Sequence, residues 1–486
     1  MDYLEGLKKN STVTNSKGGK YYASSYDANL DVFAMLSRYN SSDEIINKFK
    51  LALNENNTLA LANLLYILDI RNGKGERRLF KIIYEYLCSN YPEYALQVLP
   101  FISKLGRFDY VLIGMGTKIE KETVDLIKKQ LKKDIKSESP SLLAKWLPSI
   151  RTHKQNNKMA KKLVKLLGMS EKEYRKMLKK LRQKINIVET NLTEKTYDKI
   201  DFSHVPSLAM IKYREAFSRN MWEKFMDYKN NLKNNKTTIN TQGLFCYQII
   251  KNVLFNKGMD NKILDLMWQN QKQIVTDKNL LVIADTSGSM FSNNAIPYCT
   301  SIGLAIYAAQ HNKGIFKNHF ITFSNNPYFQ EIKGSNISEI VNNIISEVGT
   351  TDIDKVFELL LNTAIKGKVK QDAMPSHILL ISDMEFDEGV LSKGGTNLEG
   401  WRVAFQEKGY QLPSIIYWNV ALNSLGIPIT KYEEDVAIVS GFSINILENL
   451  LTLDKYRPVD LMLDKLTIYL EMLVFNIKKR AIIGSK

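Results

Sequence analysis

The residues best suited to chemistry lie in a short loop that follows an apolar run. Residues 280–284 are continuously apolar and of strand length, and residues 285–289 then read Asp-Thr-Ser-Gly-Ser. Asp285 supplies a carboxylate, and Ser287 and Ser289 supply hydroxyl groups two positions apart. Such hard oxygen donors suit Mg²⁺ or Mn²⁺, with water completing the octahedron. The loop therefore predicts a divalent-cation site.

Two later stretches offer further oxygen ligands. The sequence Gly-Thr-Thr-Asp at 349–352 precedes a helical pattern and offers the hydroxyl of Thr350 or Thr351. Asp383 follows the apolar run 377–381 and offers a second carboxylate. Ligands of open α/β sheets gather beyond the carboxyl ends of the strands, so we expect these loops to converge there.

This triple of loops resembles the metal-ion-dependent adhesion site (MIDAS) of von Willebrand factor A domains. Residue by residue, the resemblance makes Asp285, Ser287 and Ser289 the ligands of the first loop. Thr351 matches the family's Gly-Thr-Asp ending better than Thr350, and Asp383 is the third-loop carboxylate, which often acts through water. A MIDAS commonly leaves one coordination position for an acidic group of a partner, which implies a binding device.

The pattern around these loops is that of a parallel sheet covered by helices. Apolar runs of strand length alternate with helical patterns. The predicted strands are 280–284, 319–323, 377–381, 414–420 and 436–439, and the predicted helices are 297–310, 337–348 and 354–361. We expect a doubly wound α/β domain, of von Willebrand A type, over residues 275–442.

The preceding residues have a different pattern. Residues 1–24 are rich in Gly, Ser, Lys and Asn and are predicted to be a flexible leader. Many short helical patterns separated by Gly and Pro follow, which is typical of stacked, HEAT-like helical pairs, so we predict a helical domain over 25–274. Residues 443–486 are predicted to form closing helices.

The excess of positive charge lies entirely in the N-terminal part of the chain, before the predicted α/β domain. Residues 1–275 hold 48 basic and 28 acidic residues, whereas 276–486 hold 19 and 23, for a net charge of +16. Residues 118–184 alone hold 21 basic and 7 acidic residues. Such a block either attracts a polyanion or forms solvated helix faces.

Eight basic residues are candidates for phosphate contact. Three belong to the glycine-rich stretch 71–78, which lacks the spacing of a nucleotide-binding P-loop and follows a helical pattern where a P-loop follows a strand. The candidates are Arg71, Lys74, Arg77, Arg151, Lys154, Lys158, Lys161 and Lys162. The side chains of Trp146, Tyr174 and Tyr213 either stack on unpaired bases or, the interpretation favoured for each, pack in the core.

The chain also resembles an uncharacterised family, with phage, fungal and plant members, that joins a Ro/TROVE-like helical region to a von Willebrand A domain. The resemblance rests on Arg-Asn-Gly-Lys-Gly-Glu-Arg at 71–77, Leu-Gly-Arg-Phe-Asp at 105–109, Leu-Ala-Lys-Trp-Leu-Pro-Ser at 143–149 and Ser-Asp-Met-Glu-Phe-Asp at 382–387. Ro proteins bind small structured noncoding RNAs, so the resemblance implies an RNA-binding, ribonucleoprotein-forming protein.

Several classes of protein fit the sequence poorly. The three cysteines are far apart, which argues against disulfides and zinc and fits a cytoplasmic protein, and no apolar run is long enough to span a membrane. One cation with mainly neutral hydroxyl ligands is a poor match for a two-metal nuclease. We expect a monomeric RNA-binding protein that is not an enzyme; the alternative is a scaffold that captures an acidic partner residue through the MIDAS.

Overall fold

The computed structural model describes residues 12–14, 18–151, 154–241, 243–256, 261–274, 278–323, 326–345, 349, 351–387, 397–421, 426–450 and 457–484. These residues form two compact units. The sheet unit takes its residues from 1–67, 71–79 and 241–470, and the helical unit takes them from 68–70, 80–240 and 471–486. The predicted helical domain 25–274 is therefore divided between the two units.

A sheet of six strands lies at the centre of the sheet unit. The strands of the chain are β1 (Thr12–Thr14), β2 (Lys20–Tyr22), β3 (Leu280–Asp285), β4 (His319–Phe323), β5 (Tyr328–Glu331), β6 (His377–Ser382), β7 (Ser414–Asn419) and β8 (Val436–Ser440). The order in the large sheet is β5-β4-β3-β6-β7-β8. All neighbours are parallel except β5, which runs antiparallel to β4. The prediction of a parallel sheet is confirmed for five of the six strands, and the antiparallel strand β5 is the exception.

The apolar runs predicted most of these strands because a parallel sheet buries both faces. Every residue of β3, β6 and β8 is buried. The edge strand β5 was not predicted, because three of its four residues are exposed and the pattern is not that of a buried strand.

Helices make up most of the remaining structure. The α-helices are α1 (Ala28–Met35), α2 (Ser42–Glu55), α3 (Asn57–Leu68), α4 (Arg77–Asn90), α5 (Pro92–Val98), α6 (Ile102–Leu105), α7 (Glu120–Lys136), α8 (Leu143–Trp146), α9 (Lys154–Leu167), α10 (Glu171–Ile185), α11 (Val188–Thr193), α12 (Ser207–Asn220), α13 (Trp222–Lys233), α14 (Cys246–Phe255), α15 (Lys262–Gln269), α16 (Ser292–His311), α17 (Ile337–Asn342), α18 (Asp354–Gly367), α19 (Asn397–Glu407), α20 (Leu447–Leu450) and α21 (Pro458–Gly484). The fold class is α plus α/β. Among the described residues, none of these helices has the length and apolar character needed to cross a membrane.

Helix α16 follows β3 and packs on the sheet and on α14. Glycine at position 303 permits the close contact with α14, because an added Cβ atom would lie 3.0 Å from Cys246 Sγ. Helix α17 is shorter than the predicted helix 337–348 and ends at Asn342.

In the helical unit, α7, α9 and α10 pack on one another. Each buries one apolar side, which includes Ile127 and Leu131 of α7, Leu163 of α9 and Leu178 of α10. Helix α10 begins at a capping box, in which Ser170 accepts from the backbone of Glu173 and the glutamate side chain bonds back. Burial on one side leaves the lysine-rich sides of the three helices to solvent.

The prediction that residues 1–24 form a flexible leader is wrong for residues 18–24, whereas residues 1–11 and 15–17 lie outside the described part of the chain. Tyr21 and Tyr22 are almost fully buried in the sheet unit. The backbone of Tyr22 donates to Ile427 O at 3.0 Å and accepts from Ile427 N at 2.8 Å. The polar composition of the segment concealed this pairing, whose partner lies about 400 positions away in the chain.

Candidate metal centre and nucleic-acid interface

The first loop of the candidate metal centre, residues 285–289, turns sharply at the end of β3. Asp285 is fully buried, and its Oδ1 atom accepts a hydrogen bond from Ser287 N at 2.9 Å. The hydroxyl oxygens of Ser287 and Ser289 lie 3.1 Å apart. The structure therefore brings the two predicted hydroxyl ligands together beside the predicted carboxylate.

The third loop lies next to the first, because β6 is the neighbour of β3 in the sheet. Ser382, the last residue of β6, donates its hydroxyl to Asp285 Oδ2 at 2.5 Å. Asp383 is buried, and its Oδ1 atom accepts from Glu385 N at 3.1 Å. Ser382 was not predicted to take part in the site, although it stands directly before the predicted ligand Asp383.

Backbone hydrogen bonds join the middle loop to both of the others. Gly288 N donates to Gly349 O at 3.1 Å, and Asp387 N donates to Thr351 O at 3.0 Å. Thr351 is fully buried. Thr350, the alternative to Thr351, lies outside the described residues.

The three loops meet where the direction of strand addition reverses. From β3 the chain adds β4 on one side, and after β5 it returns to add β6 on the other. Loops that leave neighbouring strands in opposite directions open a crevice at the carboxyl end of the sheet, which is the usual place for a ligand in α/β folds. Gly288 is exposed and Ser289 is half-buried, so this crevice reaches solvent.

The charge in this crevice is negative. Burial, and then the nearby carboxylate of Asp383, raise the pKa of Asp285 to about 7, against the hydrogen bonds from Ser382 and Ser287 that lower it. Two acidic groups in so small a buried space repel each other when both are ionised. A divalent cation between them would offset both the burial and the repulsion.

The donor set fits a small divalent cation. Two oxygen ligands at right angles, each about 2.1 Å from Mg²⁺, are about 3.0 Å apart. The separation of 3.1 Å between the hydroxyls of Ser287 and Ser289 is close to that edge of an octahedron. Among the residues that the structure describes, no three histidine, cysteine, aspartate or glutamate side chains form a metal-binding group. The set at the candidate centre is of another kind, because it has two carboxylates and its other oxygen donors are hydroxyls.

The N-terminal segment holds the third loop of the centre. Phe386 N donates to the Tyr21 hydroxyl at 2.7 Å, and Gly18 forms a β-bridge with Asp387. Burial raises the pKa of Tyr21 well above its usual value, and the charges of Asp383 and Glu385 raise it further. The phenol therefore stays neutral and acts as a hydrogen-bond acceptor beside the centre.

Seven of the eight predicted phosphate-binding residues are exposed. Two of them belong to the sheet unit and five to the helical unit. The exposed residues are Arg71, Arg77, Arg151, Lys154, Lys158, Lys161 and Lys162. Lys162 forms an ion pair with Glu120, which partly offsets its charge.

The structure corrects the prediction for Lys74. Its side chain is fully buried, and its ammonium group donates to Phe33 O, to Ser440 Oγ at 2.7 Å and to Leu36 O at 3.5 Å. It also lies 5.6 Å from the centre of the Phe33 ring. A lysine held in this way cannot reach phosphate and acts in the packing of the sheet unit.

The three aromatic candidates for base stacking differ in exposure. Tyr174 is fully buried and donates its hydroxyl to Pro148 O at 2.9 Å, which confirms the core interpretation. Trp146 is half-buried and lies under Arg107, whose guanidinium carbon is 3.8 Å from the ring centre. Tyr213 is half-buried.

Helices α7, α9 and α10, which we call the basic helices, present exposed cations on all three members. The exposed basic residues are Lys121, Lys129, Lys132, Lys133 and Lys136 on α7, Lys154, Lys158, Lys161, Lys162 and Lys165 on α9, and Lys172, Arg175, Lys176, Lys179 and Lys180 on α10. The exposed acidic residues on the same helices are Glu122, Asp125, Glu171 and Glu173. The excess of cations makes these helices the strongest candidate for polyanion binding.

Two domain matches meet at residue 279 of the chain. Residues 279–462 match the model of a domain of unknown function (DUF7788), and residues 119–279 match that of another (DUF2828). The first match begins beside β3, and the second begins beside α7. An uncharacterized protein of Acanthamoeba polyphaga mimivirus is 29% identical over 505 residues, covering 94% of this chain and 88% of the viral protein.

Proposed function

We propose that this protein binds structured RNA through the basic helices. The observation that carries the proposal is the location of its charge. Residues 80–240, the main segment of the helical unit, hold 33 basic and 17 acidic residues, so their net charge of +16 equals that of the whole chain. The rest of the chain is balanced, and an attraction to phosphate therefore falls on this unit.

The physical basis of such binding is the release of counterions from RNA. Each lysine or arginine that contacts a phosphate displaces a condensed cation, so affinity falls steeply as salt rises. The basic helices support this role because their apolar sides are buried against one another, which leaves the exposed lysines arranged on a fixed surface. The resemblance to Ro/TROVE-like proteins favours a small noncoding RNA as the ligand and stacked, HEAT-like helices as its binding domain.

We also propose that the sheet unit contains a von Willebrand factor A-like domain with a MIDAS. Asp285, Ser287, Ser289, Thr351 and Asp383 would hold Mg²⁺ or Mn²⁺ there, and the cation would supply a coordination position for an oxygen ligand. Asp285 and the serines would bind it, and Ser382 would orient the Asp285 carboxylate. The protein then acts by binding and not by catalysis, as a cytoplasmic monomer.

Charge reversal on helix α9 and at Arg151, which lies just before it, tests the proposal. Arg151, Lys154, Lys158 and Lys161 replaced together by glutamate should weaken the binding of a small structured RNA sharply. The slope of log Kd against log salt should become shallower by about 1 for each phosphate that the protein no longer neutralises. The measurement is a fluorescence-anisotropy titration over a series of salt concentrations.

The matched control carries the same change of charge on the sheet unit. Lys317, Lys366, Lys370 and Lys408 are all exposed there. Their replacement by glutamate should leave most of the RNA affinity. Equal affinities for the two quadruple variants would contradict the proposal, since binding would then depend on net charge alone.

A second function, capture of an acidic partner protein at the metal centre, is supported by an exposed aromatic side chain. Phe291 follows Ser289 closely, is 39% exposed and stacks on Tyr298 with ring centres 4.4 Å apart. An apolar surface beside a cation site suits a protein ligand more than a solvated ion. Asp285→Ala should abolish capture of such a partner in a pull-down with Mg²⁺ and leave RNA affinity unchanged; retention of the partner would exclude this function.

A further inference from the structure

A cleft in the helical unit has the size and composition of a small-ligand site. It lies between helix α10, helix α11 and the turn at residues 149–150, and its volume is about 400 Å³. Sites for small molecules commonly measure about 300–1,000 Å³ and combine apolar walls with a few polar groups. None of the eight residues predicted from the sequence to contact phosphate lines this cleft.

One wall of the cleft is cationic. Arg175, Lys179 and Arg182 line it at spacings of four and three residues, which place side chains on one face of a helix. Lys199 lines the cleft from another segment, and Glu194 is the acidic residue among the lining side chains. Four cations against one carboxylate favour an anionic ligand.

Arg182 is held in place before any ligand arrives. Its guanidinium donates to Ala144 O, to Leu147 O and to the Ser149 hydroxyl, each at 2.8 Å. All three acceptors are neutral oxygens, so these bonds fix the side chain without cancelling its positive charge. Arg182 therefore contributes a fixed positive potential, while Arg175 and Lys179 are exposed and able to reach a ligand.

Two asparagines that line the cleft are joined to each other and to the segment that carries Lys199. Asn186 adopts a left-handed conformation with φ of 54° at the end of α10, and its side-chain amide donates to Lys199 O at 2.9 Å. The amide of Asn191, which is almost fully buried, donates to Asn186 Oδ1 at 2.7 Å. These bonds hold the segment with Lys199 against the cleft.

The cleft is also lined by three apolar side chains and by two exposed side chains that can form hydrogen bonds. Ile150, Leu178 and Ile187 are buried or half-buried, whereas Gln183 and Thr190 are exposed. A ligand that fits this composition combines a negative charge with an apolar part and with hydrogen-bonding groups. A nucleotide has this chemistry.

We propose that the cleft binds one unpaired nucleotide of the RNA. The phosphate lies against Arg175 and Lys179, and the base lies against Ile150 and Ile187. This inference rests on the proposed function and deepens it, because the basic helices alone would accept any duplex. The cleft is too small for a base-paired helix, so it would select RNAs with an unpaired position, where bases are free to be recognised.

The test compares two RNA hairpins that differ only in a single bulged nucleotide. Arg175→Gln with Lys179→Gln should lower the affinity for the bulged hairpin about tenfold. The variant loses both cations that contact the phosphate, and the base is then no longer held in the cleft. The same variant should lower affinity for the fully paired hairpin only about twofold. Lys176→Gln with Lys180→Gln is the matched control, since these residues are exposed on the same helix, do not line the cleft and remove the same charge.

A second measurement uses adenosine 5′-monophosphate as a competitor. It should displace the bulged hairpin from the Lys176/Lys180 control and not from the Arg175/Lys179 variant. Equal losses for both hairpins, or equal effects of the two double variants, would overturn the cleft as a nucleotide site while RNA binding stands. If the unaltered protein bound neither hairpin, the proposed function itself would fail.

Discussion

At the scale of single residues, the carboxylate of Asp285 would supply the charge that binds a cation in the proposed metal centre. Asparagine at position 285 has nearly the same shape and can still accept from Ser287 N, but it has no charge. We expect Mg²⁺ at about one hundred times its Kd to stabilise the unaltered protein by about 2.7 kcal/mol. Asp285→Asn should remove that gain. Chemical denaturation with and without Mg²⁺ measures it.

The control for this prediction is Asp372→Asn. Asp372 is exposed and lies before β6, whereas the candidate centre lies after it. This variant should gain as much stability from Mg²⁺ as the unaltered protein does. Equal gains in all three proteins would show that the cation binds elsewhere.

The burial of Lys74 makes the free energy of unfolding depend on pH. Burial lowers its pKa from 10.5 to about 7, against the attraction of Glu76. Between these two pH values the unfolded chain binds more protons than the folded protein, so the contribution of Lys74 to the free energy of unfolding rises with pH. The slope cannot exceed about 1.4 kcal/mol for each pH unit.

Lys74→Met tests this by removing the titrating group. The difference in unfolding free energy between the unaltered protein and Lys74→Met should rise in favour of the unaltered protein from pH 7 to pH 9.5, as expected for a lysine with a pKa of about 7. Lys81→Met, which removes an exposed lysine, should show no such trend. If the unfolding free energies of Lys74→Met and of the unaltered protein changed in parallel with pH, Lys74 would not be a buried lysine with a lowered pKa.

The residues of the candidate metal centre and Lys74 show what sequence can reveal at this scale. The clustering of the oxygen groups in 285–289 could be predicted because their spacing is local and the strand before them is marked by its apolar residues. The burial of Lys74 could not, because its acceptors Phe33, Leu36 and Ser440 lie 41, 38 and 366 positions away in the chain. A glycine-rich, basic stretch looks exposed when such partners are unknown.

At the scale of elements, the main wrong prediction concerned the N-terminal segment, residues 18–24. Its composition indicated a flexible leader, yet Tyr21 supports the loop that carries Asp383. Sequence patterns predicted five of the six strands of the large sheet because burial on both faces leaves a continuous apolar signature. The N-terminal segment leaves no such signature in the sequence, because Tyr22 pairs with Ile427 through backbone atoms, which every residue has.

The role of this segment leads to a prediction for Tyr21→Phe. The substitution removes the hydrogen bond that Phe386 N donates to the Tyr21 hydroxyl, and the loss of one hydrogen bond should cost about 0.5–1.5 kcal/mol of stability. It should also reduce the stabilisation by Mg²⁺, because the loop that carries Asp383 loses an attachment. Denaturation in the presence and absence of Mg²⁺ separates the two effects.

Tyr410→Phe is the control, since it also removes one hydrogen bond within the sheet unit, from the Tyr410 hydroxyl to Ala364 O at 3.0 Å. It should lower stability and leave the gain from Mg²⁺ unchanged. If Tyr21→Phe behaved in the same way, the N-terminal segment would stabilise the fold without positioning the third loop.

At the scale of the whole molecule, the two candidate sites belong to different units. The carboxylates and hydroxyls of the metal centre lie in the sheet unit, and the basic helices lie in the helical unit. The charge asymmetry that divides them could be counted from the sequence. The division itself could not, because residues 28–67 join the sheet unit although they precede the first strand of the large sheet by more than 200 positions.

This division predicts that the two sites act independently. At one fixed Mg²⁺ concentration, Asp285→Asn and the unaltered protein should bind the same structured RNA with Kd values that agree within about twofold, a coupling free energy below about 0.5 kcal/mol. Because coupling between binding sites is reciprocal, a saturating amount of RNA should also leave the affinity for Mg²⁺ unchanged. A fixed Mg²⁺ concentration matters, since the cation also acts on the RNA itself. A change in RNA affinity of tenfold or more would show that occupation of the metal centre controls the basic helices, and RNA should then shift the affinity for Mg²⁺ by the same factor.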